Sequence, residues 1–136
     1  CSTQPIYCCY KNMEDLKAEI CKKALAFLQN VMLSYSKTGN TLLDLGLGYV
    51  QMAYTEPALF KAFYMDNVTN VKLTDIFPES ERVVEIMKNS EECQNISDEE
   101  LKNDIAKGWM LAHGIASLVA VGMLVYDEDK ILEILK

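Results

Sequence analysis

Residues 108–126 read GWMLAHGIASLVAVGMLVY. The run has no proline and no alternation with a period of two, so it is read as helix rather than strand. Ser97-Asp98-Glu99-Glu100 just before it has the S-x-x-E spacing of a capping box, which places a helix start at Asp98. The helix is expected to span about Asp98 to Val125, a length on the order of 40 Å at the rise of an α-helix. Its first half is amphipathic, with Leu101, Ile105, Trp109 and Ala112 on one stripe. From Met110 onward it is apolar nearly all round, through Leu111, Ile115, Leu118, Val119, Val121, Met123 and Leu124. A helix apolar on every face must be covered on every face. Either it is a central core helix, or it faces its own core on one side and a second subunit on the other. The second arrangement suits the small residues Gly114, Ala116, Ser117, Ala120 and Gly122, which let another helix approach closely.

The rest of the chain also reads as helix. Proline occurs only at Pro5, Pro57 and Pro78. Leu16, Ile20, Ala24, Phe27, Leu28, Val31 and Tyr35 recur at helical spacing from Met13 to about Tyr35. Asn12 is the N-cap residue type, Glu14 and Asp15 complement the dipole of the first turn, and Lys37-Thr38-Gly39 marks the stop. Asn40 can cap a second helix to about Thr55, and Pro57 suits the first turn of a short third one to about Met65. Asp66 to Asp75 reads as a loop, Pro78 to about Glu92 as a further helix, and Asp127 to Lys136 as a short amphipathic helix. The expected fold class is all-α, a helical bundle.

Composition limits the function. At 136 residues, half of them apolar, one domain with a real core is expected. The apolar run Ile115–Tyr126 is far short of the ~18–20 residues a membrane-spanning helix needs. Residues 1–40 carry a net charge of +2 and residues 41–136 a net of −9, an asymmetry compatible with one end meeting an anionic partner. The five cysteines, Cys1, Cys8, Cys9, Cys21 and Cys93, show no CxxC spacing and are odd in number, which argues against a disulfide framework or a zinc site. Free thiols in a reducing cytoplasm are expected, with no cofactor and no metal. An enzyme is disfavoured, because no nucleophile–base pair, metal cluster or phosphate loop is read.

His113 is the only histidine. It shares a helix face with Trp109 at i, i+4 spacing. It either packs on Trp109 with a buried hydrogen bond to the imidazole, or it lines a pocket and donates to a bound acceptor. Tyr35, Tyr49, Met52, Tyr54, Phe60, Phe63, Tyr64, Met65, Met87 and Met110 supply a middle rich in aromatics and methionine. At helical spacing these are ordinary core residues, and they are also the residue types that line adaptable apolar pockets between helices.

Two stretches resemble a known family. Ser2-Thr3-Gln4-Pro5-Ile6-Tyr7-Cys8-Cys9-Tyr10-Lys11-Asn12-Met13-Glu14-Asp15-Leu16 resembles the end of the helix-turn-helix in TetR-type transcriptional regulators, with its aromatic-x-x-aromatic step at Tyr7 and Tyr10. Trp109, His113 and Gly114 are similar to the Trp-His-Gly signature of one subfamily of TetR-type C-terminal domains, and residues 45–60, LGLGYVQMAYTEPALF, are similar to that subfamily as well. Met13, Tyr10, Cys8 and Cys9 depart from the residues often found at those positions.

The resemblance implies that the chain begins inside a recognition helix. Residues 1–11 would be its remnant, and residues 12–136 an effector-binding and dimerisation domain. It implies Ser2, Thr3 and Gln4 near bases and Tyr7 and Lys11 near phosphates, with DNA bound only by the full-length protein. It implies a pocket for a small apolar or amphipathic effector, drawn from Tyr49, Met52, Phe63, Met87, Trp109, Met110 and His113. It implies a homodimer through Ser117, Ala120, Val121, Leu124, Ile131 and Leu135. Ligand binding would tilt the long first helix and release DNA. A helical protein–protein interaction module without an effector pocket is the alternative.

Overall fold

A computed structural model describes residues 12–66, 81–93 and 96–136. The expectations for Ser2, Thr3, Gln4, Tyr7 and Lys11, for most of the 66–75 loop and for Pro78 lie outside the described residues. Among the described residues the architecture is an all-α bundle. Its helices are α1 (Met13–Leu33), α2 (Thr41–Thr55), α3 (Pro57–Phe60), α4 (Glu81–Lys88), α5 (Asp98–Ala120) and α6 (Glu128–Leu135). A π-helical segment, Lys61–Met65, continues α3, and a 3-10 turn, Glu91–Cys93, follows α4.

The helix starts follow the sequence signals. Asn12 Oδ1 accepts the Asp15 amide at 2.8 Å, and Asn40 Oδ1 accepts the Leu43 amide at 2.9 Å. Ser97 and Glu100 form the reciprocal capping box, and Pro57 occupies the first turn of α3.

Three helix ends differ from expectation, each for a local reason. α5 stops at Ala120, not Val125. Gly122 adopts φ +75°, its amide bonds the Val119 carbonyl at 3.0 Å, and the Met123 amide bonds the Leu118 carbonyl at 2.9 Å. That pair of bonds is a Schellman motif, so Gly122 ends the helix rather than packing within it. α4 closes at Lys88, where the Ser90 hydroxyl takes the Met87 carbonyl at 2.7 Å. The segment read as one helix from Pro57 to Met65 widens after Phe60, where the Asp66 amide reaches back five residues to the Lys61 carbonyl at 2.8 Å.

The core lies around α2, which packs on α1, α3, α5 and α6. Leu45, Leu47, Tyr49, Val50, Met52 and Ala53 of α2 are buried. α5 meets them with Leu101, Ile105, Ala112, Ile115, Ala116 and Val119, the spacing of one helix face. α1 contributes only Leu28 and Met32 as fully buried residues, while Ile20 and Phe27 stand exposed. The stripe on α1 is therefore used in its C-terminal half and left uncovered by the described residues before it.

α1 rides on α2 at Gly48. A Cβ built there would lie 2.4 Å from the Met32 carbonyl oxygen and 2.9 Å from Tyr35 Cβ. The close approach requires glycine, and Gly48→Ala is expected to lower stability by about 2 kcal/mol, since overpacking against backbone relaxes poorly. A denaturant titration checks this; an unchanged midpoint would mean that the two helices do not meet in this way.

α6 is held at both ends. Leu135 sits over Gly46, and Glu128 receives Lys37 Nζ at 2.8 and 3.0 Å and the Tyr126 hydroxyl at 3.3 Å. No helix among the described residues is long and apolar enough to cross a membrane.

Candidate functional site

Tyr49, on the inner face of α2, points its hydroxyl at His113 of α5, with Oη 3.0 Å from Nδ1. Trp109 lies one turn before His113, as the i, i+4 spacing requires, and the two rings stack at 5.1 Å. The buried indole N–H faces the Tyr49 oxygen in a geometry looser than a full hydrogen bond. Phe60, the last residue of α3, sets its ring edge-on to Tyr49 at 5.6 Å and tilted against His113 at 5.9 Å. Tyr64 stacks on Phe60 at 5.1 Å and meets Tyr49 edge-on at 5.6 Å. Tyr64 lies in the π-helical segment that follows Phe60, and π-helical turns of this kind recur at functional sites.

Tyr49, Tyr64, Trp109 and His113 give the site polar groups. Burial keeps the His113 imidazole below its ordinary value, so the ring is neutral at pH 7. Burial pushes the Tyr64 hydroxyl up to about 12. Tyr49 is driven higher, by burial first and by Tyr64 second, with the Trp109 indole acting the other way. Among the described residues no group of three or more His, Cys, Asp and Glu side chains is placed to hold a metal.

The site residues expected from the sequence do not all meet. Tyr49, Trp109 and His113 form the centre, while Met52, Phe63 and Met87 are buried in the core around α2. Met110 is 61 % exposed. It follows Trp109 by about 100° around the helix, and so faces away from the pocket side. Phe60 and Tyr64 belong to the centre but were absent from the expected set. Tyr64 lies in the widened turn after Phe60, which spacing alone does not reveal.

A cavity of about 20 Å³ lies behind Trp109, lined by Leu42, Leu45, Val83, Ile105, Gly108 and Ala112 among others. That is room for about one water, against the ~300–1,000 Å³ of a ligand site.

The residues expected at a dimer interface also divide. Ala120 and Ile131 are buried in the chain's own core, so they are not available to a partner. Ser117, Leu124 and Leu135 are half-buried, Leu135 against Gly46. Val121 is exposed, and with Leu111, Leu118, Met123 and Val125 it forms the open apolar face at the end of α5.

No family model, curated protein or solved structure matches this chain.

Proposed function

We propose that the chain is the small-molecule-sensing and dimerisation domain of a TetR-type transcriptional regulator, acting in the cytoplasm without a cofactor or an enzymatic step. The observation that carries the reading is the position of Tyr49. It is the central polar residue of the aromatic site, and its chain neighbour Gly48 is the point where α2 touches the end of α1. A ligand that displaces Tyr49 moves the contact on which α1 rides. In the family resemblance, α1 leads to the DNA-reading head. The ligand must then favour the released conformation, with a coupling of typically ~1–3 kcal/mol.

The test is a fluorescence-anisotropy titration of the full reading frame against the DNA upstream of its gene. Saturable binding that weakens steeply with salt is expected, with release by an effector. Absence of binding would remove the DNA-reading role of residues 1–11.

The exposed apolar face of α5 supports the homodimer. Leu118→Asp is expected to convert the dimer to monomer in sedimentation velocity while helicity is retained; an unchanged sedimentation coefficient would place the interface elsewhere.

The tight packing of Tyr49, Met52 and Phe63, beside a cavity of about 20 Å³, favours a second reading, a helical interaction module with no effector site. A thermal-shift screen separates the two. A ligand at 100 times its Kd adds about 2.7 kcal/mol of stability, whereas a broad apolar library without a stabiliser supports the interaction module.

A further inference from the structure

The corner between α1 and α2 is held from two sides by two carboxylates. Asp44 of α2 takes its backbone donors, the Lys37 and Thr38 amides, at 3.2 and 2.8 Å. Glu128, in the first turn of α6, takes its side chains. Lys37 Nζ reaches both Glu128 oxygens, at 2.8 and 3.0 Å, and lies 5.2 Å from the centre of the Tyr35 ring. The buried Tyr35 hydroxyl faces the same carboxylate in a geometry looser than a full hydrogen bond. The Tyr126 hydroxyl donates to Glu128 at 3.3 Å, and its ring stacks at 4.4 Å on Tyr54, near the end of α2. The Lys37 ammonium first, and Tyr35 second, hold the Glu128 carboxyl below its ordinary value, so it is ionised at pH 7. Tyr35 Cβ also lies against Gly48, where α1 rides on α2. The stretch Tyr35 to Thr38 is thus the junction of α1, α2 and α6.

Of the three helices, α6 is the one held most lightly. It has 8 residues, and Ile131 is the residue it buries fully. A helix this short is marginal in water by itself, so α6 is helical while docked and loses its turns when it leaves. Apart from Ile131, its docking rests on Leu135 over Gly46 and on the bonds to Glu128. We propose that α6 is a detachable clasp on the α1–α2 corner: docked, it fixes the corner through Glu128; undocked, it frees Tyr35 and Lys37 and loosens the seat of α1. The coupling is reciprocal, as linkage between two equilibria requires. It does not depend on the sensing role proposed above and holds equally for an interaction module.

Amide hydrogen exchange on the whole chain, read residue by residue by NMR, tests the clasp. Leu135→Ala weakens α6 at the end away from Glu128. It is expected to speed exchange about 5-fold at the last α6 amides, and by a similar factor at the Lys37 and Thr38 amides, because the corner opens together with α6. In a Glu128→Ala background the clasp is already cut. Leu135→Ala is then expected to speed α6 further and to leave the corner amides at the rate of Glu128→Ala alone. Ile131→Val, one methyl lighter in the core, gives the same comparison should Leu135→Ala unfold the chain. Three results would each overturn the proposal: faster exchange in α6 with an unchanged corner, a corner response that survives in Glu128→Ala, or an α6 that responds to neither substitution.

Discussion

Replacing Phe60 by alanine is expected to cost about 3–5 kcal/mol of stability, the range for emptying a fully buried aromatic position. Phe60 has no solvent exposure. Its ring is the common neighbour of Tyr49, Tyr64 and His113 at 5.6, 5.1 and 5.9 Å. Removal takes away the apolar area of the ring and the aromatic pairing, which adds ~0.5–1.5 kcal/mol per pair beyond area. It also uncovers one face of the imidazole. Two readouts should therefore move together. The urea midpoint falls, and the His113 titration shifts upward toward its ordinary value, since burial is what lowers it. Phe60→Leu keeps most of the volume and should cost less than about 1.5 kcal/mol. Met123→Ala, at a 78 % exposed position, should stay within about 0.5 kcal/mol. A Phe60→Ala variant as stable as Met123→Ala would mean that the ring cluster does not form, and the site built on it would go too.

The elements were legible where a local signal was complete. Asn12, Asn40 and Ser97 each carry a side chain that caps its own helix, and all three helices begin where those residues place them. Gly122 shows the limit. A glycine in an apolar run reads equally as a small packing residue or as a left-handed stop. Only the two amide bonds back to Val119 and Leu118 decide for the stop. The site was legible as far as one helix could show it. Trp109 and His113 are a turn apart in the sequence, so their stacking follows from spacing. Tyr49 is 64 residues from His113, and its bond to Nδ1 depends on how α2 and α5 cross. Tyr64 sits within the five-residue hydrogen bond from the Asp66 amide to the Lys61 carbonyl, for which the sequence has no marker, and Phe60 ends the α-helical turn just before it. Met110 failed as a pocket residue because an apolar side chain on a helix apolar all round carries no information about which face is inward.

The second large effect is expected at Asp44, a buried carboxylate in the first turn of α2 that no spacing in the sequence marks. It is 7 % exposed. One oxygen accepts the Thr38 amide at 2.8 Å, the Thr38 hydroxyl at 2.8 Å and the Lys37 amide at 3.2 Å. These bonds pin the corner between α1 and α2, including Gly39 at φ +77°. Asp44→Ala leaves two amides and a hydroxyl without this acceptor and should cost about 3 kcal/mol, since each buried unmade bond costs ~1–3 kcal/mol and water recovers part of it. A chain of this size would lose on the order of 10 °C in Tm. The charge also sets a pH dependence. Burial raises the Asp44 carboxyl, but the donors from Thr38, Lys37 and Gly39 outweigh it, and the folded-state value lies below the ordinary one. The unfolded chain therefore binds the proton more readily than the folded one. The stabilisation is complete above the unfolded value, about 3.9, and is lost as pH falls from there through the lower folded value. Asp44→Asn keeps the shape and loses the charge, so its stability deficit relative to the parent should be largest near neutral pH and shrink below about pH 4. A deficit that stays constant down to pH 2 would show that Asp44 is not held ionised by the corner. The tie between α1 and α2 would then rest on the Gly48 contact alone.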